Sequence, residues 1–190
     1  ADVDIIVQEL GTDKPGDIEC FGTYLKPDIT IVTGITPEHM EFFGTLAAVA
    51  QEELSATDFS DIAIINRDDT PQEYASMLTN NNIITYGTSS IAEYSFEIES
   101  FSIGKGYTGR LVNPELGNGI RTTLQVVGEH NIRPIIGAIA VAIRFGMSPQ
   151  AVVRGAELIR PVPGRMNILR GVKDSILIDD AYNSSPSAAA

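Results

Sequence analysis

The chain has 190 residues, 43% of them hydrophobic, enough to bury a core of ordinary size as one domain or slightly more. A formal charge of −12 argues against a nucleic-acid partner, which needs clustered Lys and Arg, and against an anionic membrane surface. Cys20 stands alone, the longest apolar stretch (Ile135 to Ile143) is too short to span a bilayer, and no signal peptide opens the chain. These features exclude an intramolecular disulfide and imply a cytoplasmic protein.

In chain order, Asp4 to Leu10, Asp28 to Thr33, Asp61 to Asn66 and Asn82 to Tyr86 are short apolar runs rich in β-branched residues, each opening at a polar or turn residue. Such runs read as strands buried on both faces. Helical patterns lie between them at Asp17 to Leu25, with Cys20 expected on a buried face, Thr45 to Ala56 and Pro71 to Leu78. This alternation predicts a parallel sheet with right-handed crossovers. Glu93 to Phe101, Tyr107 to Val112 and Arg121 to Val127 then alternate polar and apolar, with turn residues Asn113-Pro114 and Gly117-Asn118-Gly119 between the last two, as in an antiparallel meander. Asn131 to Phe145 returns to helical spacing and stops at Gly146; Ser148-Pro149 has the capping chemistry of a further helix through Ile159. Ile168-Leu169 and Ser175 to Ile178 are short strand-like runs. The fold class is α/β: a mostly parallel sheet with flanking helices and an antiparallel β flank.

Gly104-Lys105-Gly106-Tyr107-Thr108-Gly109 satisfies G-x-G-x-x-G. A dinucleotide fingerprint needs a helix directly after it. Here Arg110 to Pro114 is strand-like and ends in proline, so the motif is a hairpin turn.

Open α/β sheets place ligands at the carboxyl ends of their strands. Glu9 ends the first expected strand, His39 follows the second, and Asn66, Asp68 and Asp69 close the third. A carboxylate and an imidazole on neighbouring strand ends can hold a divalent ion bound to phosphate oxygens, although Mg²⁺ prefers oxygen. Each residue alone has a plainer reading: an edge carboxylate, a loop histidine, turn-forming aspartates.

Glu9-Leu10-Gly11, Gly16-Asp17-Ile18, Pro27-Asp28-Ile29, Thr33 to His39 and Phe43-Gly44-Thr45, followed by Gly128-Glu129-His130-Asn131, Gly164-Arg165 and Asp179 to Pro186 (DDAYNSSP), occur in an order and spacing that resemble the central ATPase domain of the Mur ligase family. The resemblance covers nearly the whole chain and is closest to the branch that adds D-alanyl-D-alanine to UDP-N-acetylmuramoyl-tripeptide. It implies residues 1–180 as part of that domain and 181–190 as a linker towards a further, C-terminal domain. It implies ATP and Mg²⁺ as cofactors, a UDP-muramoyl peptide and D-alanyl-D-alanine as substrates, and amide-bond formation through an acyl phosphate. Glu9 and His39 fall on the family's magnesium ligands, Asn131 on an adenine-contacting amide, Arg165 on the arginine that reaches the nucleotide phosphates, and Asp180 on the carboxylate that holds the ribose hydroxyls.

The departures are specific. No G-x-x-x-x-G-K-[ST] phosphate loop occurs in the 190 residues, so the chain is expected to be part of a longer ligase and inactive alone. Many Mur ligases carry a carbamylated lysine after the histidine motif; this sequence has no lysine between Lys26 and Lys105, and Glu52 or Glu53, beside Gln51, is the candidate stand-in. Gly34 replaces the usual Asn of T-N-I, and Pro134 the second Asn of H-N-x-x-N. Two alternatives stay open: a catalytically degenerate Mur-like scaffold, and an amide ligase of the same superfamily acting on folate or a polypeptide.

Overall fold

The computed structural model describes residues 3–116 and 119–183; Gly117-Asn118 and most of the expected linker, 184–190, lie outside the described residues. The chain divides into two compact units, 1–84 and 85–190.

The first unit holds helices α1 (Asp17–Gly22), α2 (Met40–Phe43) and α3 (Leu46–Ser55) and strands β1 (Ile29–Val32) and β2 (Ile62–Asn66), which pair in parallel with Ile29 opposite Ile62 and Val32 opposite Ile65. The Thr45 hydroxyl accepts from the Ala48 amide 3.2 Å away and caps α3. Val32, Ile35, Phe43, Val49, Ala50, Leu54, Ala63, Ile65 and Tyr74 form the core. Residues Gln72–Met77 wind as a 3₁₀ helix with i→i+3 bonds, the tighter form that short helical pieces adopt, where the sequence predicts an ordinary helical turn.

Two expectations fail in this unit. Asp4 to Leu10 forms no strand: it takes no ladder pairing, and Ile6 and Val7 are 80% and 93% exposed. β-Branched composition suits a strand, but a strand exists only where a neighbour takes its amides and carbonyls. Glu9 is therefore not at a strand end. Cys20 lies in α1 as expected, yet on its exposed side. In this six-residue helix Ile18 takes the buried position.

Strand β3 (Ile83–Gly87) begins in the first unit and ends in the second. The second continues with β4 (Tyr94–Ser102), β5 (Gly106–Val112), β6 (Ile120–Leu124), α4 (Ile132–Arg144), α5 (Pro149–Leu158), β7 (Asn167–Arg170) and β8 (Ile176–Asp179). The strands of the main sheet follow in the order β1-β2-β3-β4-β5-β6, with β3 and β4 parallel and β4, β5 and β6 antiparallel; β7 and β8 form a separate antiparallel pair. The G-x-G-x-x-G segment spans the β4–β5 hairpin, as its proline-ended continuation predicts. Gly104 and Gly106 adopt φ of 83° and 90° there.

Helix α4 buries Ile132, Ile135, Ile136, Ile139, Ala140 and Ile143, the three-to-four spacing of one apolar stripe, and packs on β4 and α5. Its end is a Schellman motif: Gly146, at φ 81°, donates to the Ile143 carbonyl, and Met147 to that of Ala142. The Ser148 hydroxyl caps α5, with Pro149 in its first turn.

Candidate functional site

In the first unit, His39 is the residue preceding α2 and sits at φ 50°, in the left-handed region. Its Nε2 lies 3.4 Å from Asp13 Oδ1. Asp13 belongs to a loop fixed from two sides. The Asp17 carboxylate accepts from the amides of Asp13 and Lys14, both at 3.1 Å. Glu52 on α3 reaches back with both oxygens, accepting from Gly16 (2.9 Å) and Ile18 (2.8 Å).

That bond pair separates the two glutamates between which the sequence cannot choose. Glu52 serves the backbone at the start of α1. Glu53 is half-buried, and its carboxylate takes no hydrogen bond among the described residues. Burial foremost, then Glu38 and Glu52, push its carboxyl above the usual range, and only His39 pulls it back. Charge on Glu53 is thus costly as the protein stands, and a cation beside His39 would relieve it.

Glu9 is exposed in the irregular leading segment; its carboxylate meets no partner among the described residues, and the structure does not bring it against His39. No group of three or more His, Cys, Asp or Glu side chains among the described residues could hold a metal ion alone. Mg²⁺ does not require such a cage, because it keeps waters and takes substrate phosphate oxygens beside one or two carboxylates. The donors of this unit, Glu53 and His39, fit that mode.

The β2 end explains one departure. Asn66 is buried, and its Nδ2 donates to the Thr33 carbonyl and to Asp69 Oδ2, both at 2.7 Å, while Ile35 donates to the Asp69 carbonyl. A Cβ on residue 34 would lie 2.9 Å from Asp69 Cβ. Gly34 is required by this turn, so an asparagine there would displace Asp69.

In the second unit a cavity of about 300 Å³ is lined by Asn131, Pro134, Ile135, Ala138, Val162 and Arg165, among others. Asn131, Pro134/Ile135 and Ala138 recur at helical spacing, so one edge of α4 makes the wall. The sequence identified Asn131 and Arg165; it did not identify the apolar wall, although the spacing carried the signal. Pro134, the second departure, supplies a pyrrolidine face to this wall.

Asn131 does not cap α4. Its Nδ2 donates to the Val127 carbonyl at 2.7 Å and lies 3.1 Å from His130 Nε2. Arg165 stacks over the Tyr182 ring, with its guanidinium carbon 4.2 Å from the ring centroid. The loop 164–166 is laced to 179–182: Gly164 donates to Asp179 Oδ2, Met166 to Asp180 Oδ1, and Tyr182 to the Gly164 carbonyl, each at 3.1 Å. Asp180 is thus tied to the Arg165 loop, and its second oxygen meets no donor among the described residues.

The profile of the Mur ligase middle domain matches residues 1–142. The chain belongs to the Mur ligase family. The UDP-N-acetylmuramoyl-tripeptide–D-alanyl-D-alanine ligase of Haemophilus influenzae is 30% identical over 183 residues, 94% of this chain and 39% of that protein. The crystal structure of MurF from Acinetobacter baumannii superposes with a TM-score of 0.81 at 22% identity, over 95% of this chain and 39% of that one. MurF from Thermotoga maritima, solved in complex with ADP, does so with a TM-score of 0.73 at 20% identity, over 93% and 40%. At those identities the structures establish the fold alone. This Mur ligase chain spans about 39% of the length of the curated relative it matches. Among its described residues no helix is long and apolar enough to cross a membrane.

Proposed function

We propose that this Mur ligase chain is the nucleotide-handling part of a cytoplasmic, ATP-dependent ligase that adds D-alanyl-D-alanine to a UDP-muramoyl tripeptide, with residues 1–180 as part of its central domain. The observation that carries the reading is the second unit's cavity, which Asn131 and Arg165 line together and whose Arg165 loop also holds Asp180. Asn131 reads the base, Arg165 contacts the phosphates through its planar fork, and Asp180 accepts from the ribose hydroxyls. His39 and Glu53 would hold Mg²⁺, and Glu9, the ligand that the resemblance implies, would join them only by movement of the leading segment.

In the reaction, a carboxylate oxygen of the peptide attacks the γ-phosphorus of ATP, and ADP leaves with the electrons of the broken bond. The amine then attacks the acyl phosphate carbon, gives up a proton, and expels phosphate from the tetrahedral intermediate to leave an amide. The contribution of these residues is positioning and charge neutralisation. Bound Mg²⁺ supplies charge neutralisation at the phosphoryl oxygens.

The test is ADP release by the full-length protein with Mg-ATP and UDP-muramoyl-tripeptide, with and without D-alanyl-D-alanine. Release that depends on the dipeptide supports the reading. A folded protein that releases none with both substrates present overturns it in favour of a degenerate scaffold, the second reading, which the stretch without lysine between Lys26 and Lys105 favours.

The two glutamates give a paired prediction. Glu53→Gln is expected to weaken Mg²⁺ binding, read by titration with Mn²⁺ as a paramagnetic substitute, and to raise the melting temperature at neutral pH. The sign follows from the raised carboxyl: its charged form burdens the fold at pH values above its folded titration, and the burden lifts as pH falls through it. Glu52→Gln is expected to do the reverse, leaving ion binding intact and destabilising the chain by about 1–2 kcal/mol, because its single carbonyl oxygen can accept from only one of the two backbone amides. Equal effects of the two changes on ion binding would remove Glu53 from the site.

A further inference from the structure

On the reading that the second unit's cavity takes a nucleotide base, we propose that His130 sets base specificity, by using up the donor that Asn131 would otherwise offer to the ligand. Gly128 makes this possible. It turns the chain at φ 80°, and a Cβ there would lie 2.4 Å from His130 Cε1, so the imidazole folds back over a bare α-carbon. From that position Nε2 comes to 3.1 Å from Asn131 Nδ2.

A carboxamide nitrogen has two hydrogens and no acceptor lone pair. One hydrogen goes to the Val127 carbonyl at 2.7 Å, so the other goes to His130, whose Nε2 must then be the acceptor of a neutral ring protonated at Nδ1. Both donors of Asn131 are engaged. Its Oδ1 receives no donor among the described residues, and Asn131 is one of the residues lining the cavity. The amide therefore presents an acceptor alone.

This has two consequences for a purine. An exocyclic 6-amino group donates to Oδ1 and is accepted. A 6-oxo group sets lone pair against lone pair in a half-buried site and is rejected. Ring nitrogen N7, which a free asparagine amide would contact together with N6, finds no donor here. Asn131 reads the 6-position and ignores the 7-position. His130 is a positioning residue in this scheme: it touches Asn131, not the base.

The experiment is calorimetric titration of the full-length protein with ADP, 7-deaza-ADP and IDP, repeated on His130→Leu and His130→Gln. Wild type is expected to bind ADP and 7-deaza-ADP within about twofold of each other, and IDP about tenfold or more weakly, the worth of one hydrogen bond gained against one acceptor left unpaired. His130→Leu frees a donor, so the ADP-to-IDP preference should fall by about tenfold; His130→Gln, whose carbonyl can accept the same hydrogen, should restore it. Because the preference is a ratio within one protein, a uniform loss of affinity leaves it unchanged. A tenfold loss with 7-deaza-ADP, an unchanged ratio in His130→Leu, no restoration in His130→Gln, or loss of all three nucleotides together in the leucine variant would each overturn the inference. Wild type that binds no ADP at all would instead overturn the nucleotide reading of the cavity.

Discussion

Replacing Arg165 by alanine is expected to weaken ADP binding about tenfold to a hundredfold while leaving adenosine binding unchanged. Hydrogen bonds to a charged group are worth about 1.5–3 kcal/mol, and each 1.4 kcal/mol is a factor of ten. Arg165 lines the cavity, and the strap between 164–166 and 179–182 fixes its backbone without using its guanidinium. The charged group rests on Tyr182, an exposed ring that holds it by cation–π attraction. Tyr182→Leu should therefore cost a smaller factor, about threefold, again on ADP and not on adenosine, with Tyr182→Phe close to wild type. Arg165→Lys should restore part of the affinity, since a point charge lacks the planar fork. The gap between wild type and Arg165→Ala should narrow as salt is raised. Calorimetry on wild type and the four variants with both ligands checks this; an adenosine affinity that falls as far as that of ADP would place Arg165 in the fold and not at the phosphates.

Gly106→Ala is expected to be the most damaging small substitution in the hairpin, at about 3 kcal/mol or more. Two costs add: a non-glycine residue in the left-handed region, about 1–3 kcal/mol, and overpacking of similar size. The second has a definite cause. The added Cβ would lie 2.0 Å from the Leu124 carbonyl oxygen and 2.8 Å from Gln125 Cα. Both are backbone atoms where β5 pairs with β6, so neither can rotate away. Gly104→Ala is the control. It has a similar φ of 83° but nothing within 4 Å of the new atom, so only the conformational cost of about 1–3 kcal/mol remains. Urea denaturation midpoints of the two variants measure the difference; equal midpoints would mean that β6 does not approach Gly106 as described.

The elements with strong periodicity and explicit stop signals were legible in the sequence. Helix α4 with Gly146, α5 with Ser148-Pro149, and the antiparallel strands emerge from spacing and capping chemistry, because those are local properties. Asp4 to Leu10 was not legible, because composition says only that a segment suits a sheet, and pairing depends on residues elsewhere. Cys20 failed for a related reason: in a six-residue helix the buried face is chosen by what packs on it. At the site, the family resemblance assigned Asn131, Arg165 and Asp180 to the nucleotide; in the structure the first two line one cavity and the third accepts from the Met166 amide beside Arg165. What the motif could not reveal is which atoms of a side chain are already occupied. Asn131 precedes α4 without capping it through its side chain, and its two amide hydrogens are directed at Val127 and His130, which no motif specifies.

The division of labour between Glu52 and Glu53 rests on helical geometry alone. Consecutive residues on an α-helix point roughly 100° apart, so two identical side chains in a row face different neighbours. One ties down the loop that carries Asp13, and the other faces the His39 side. A single alanine inserted early in α3, ahead of both, would advance the phase by that same angle. The former Glu52 would then swing away from the Gly16 and Ile18 amides and leave the loop untethered, with no change in charge and no residue replaced. The phase of α3, more than the chemistry of either carboxylate, is what assigns each its task.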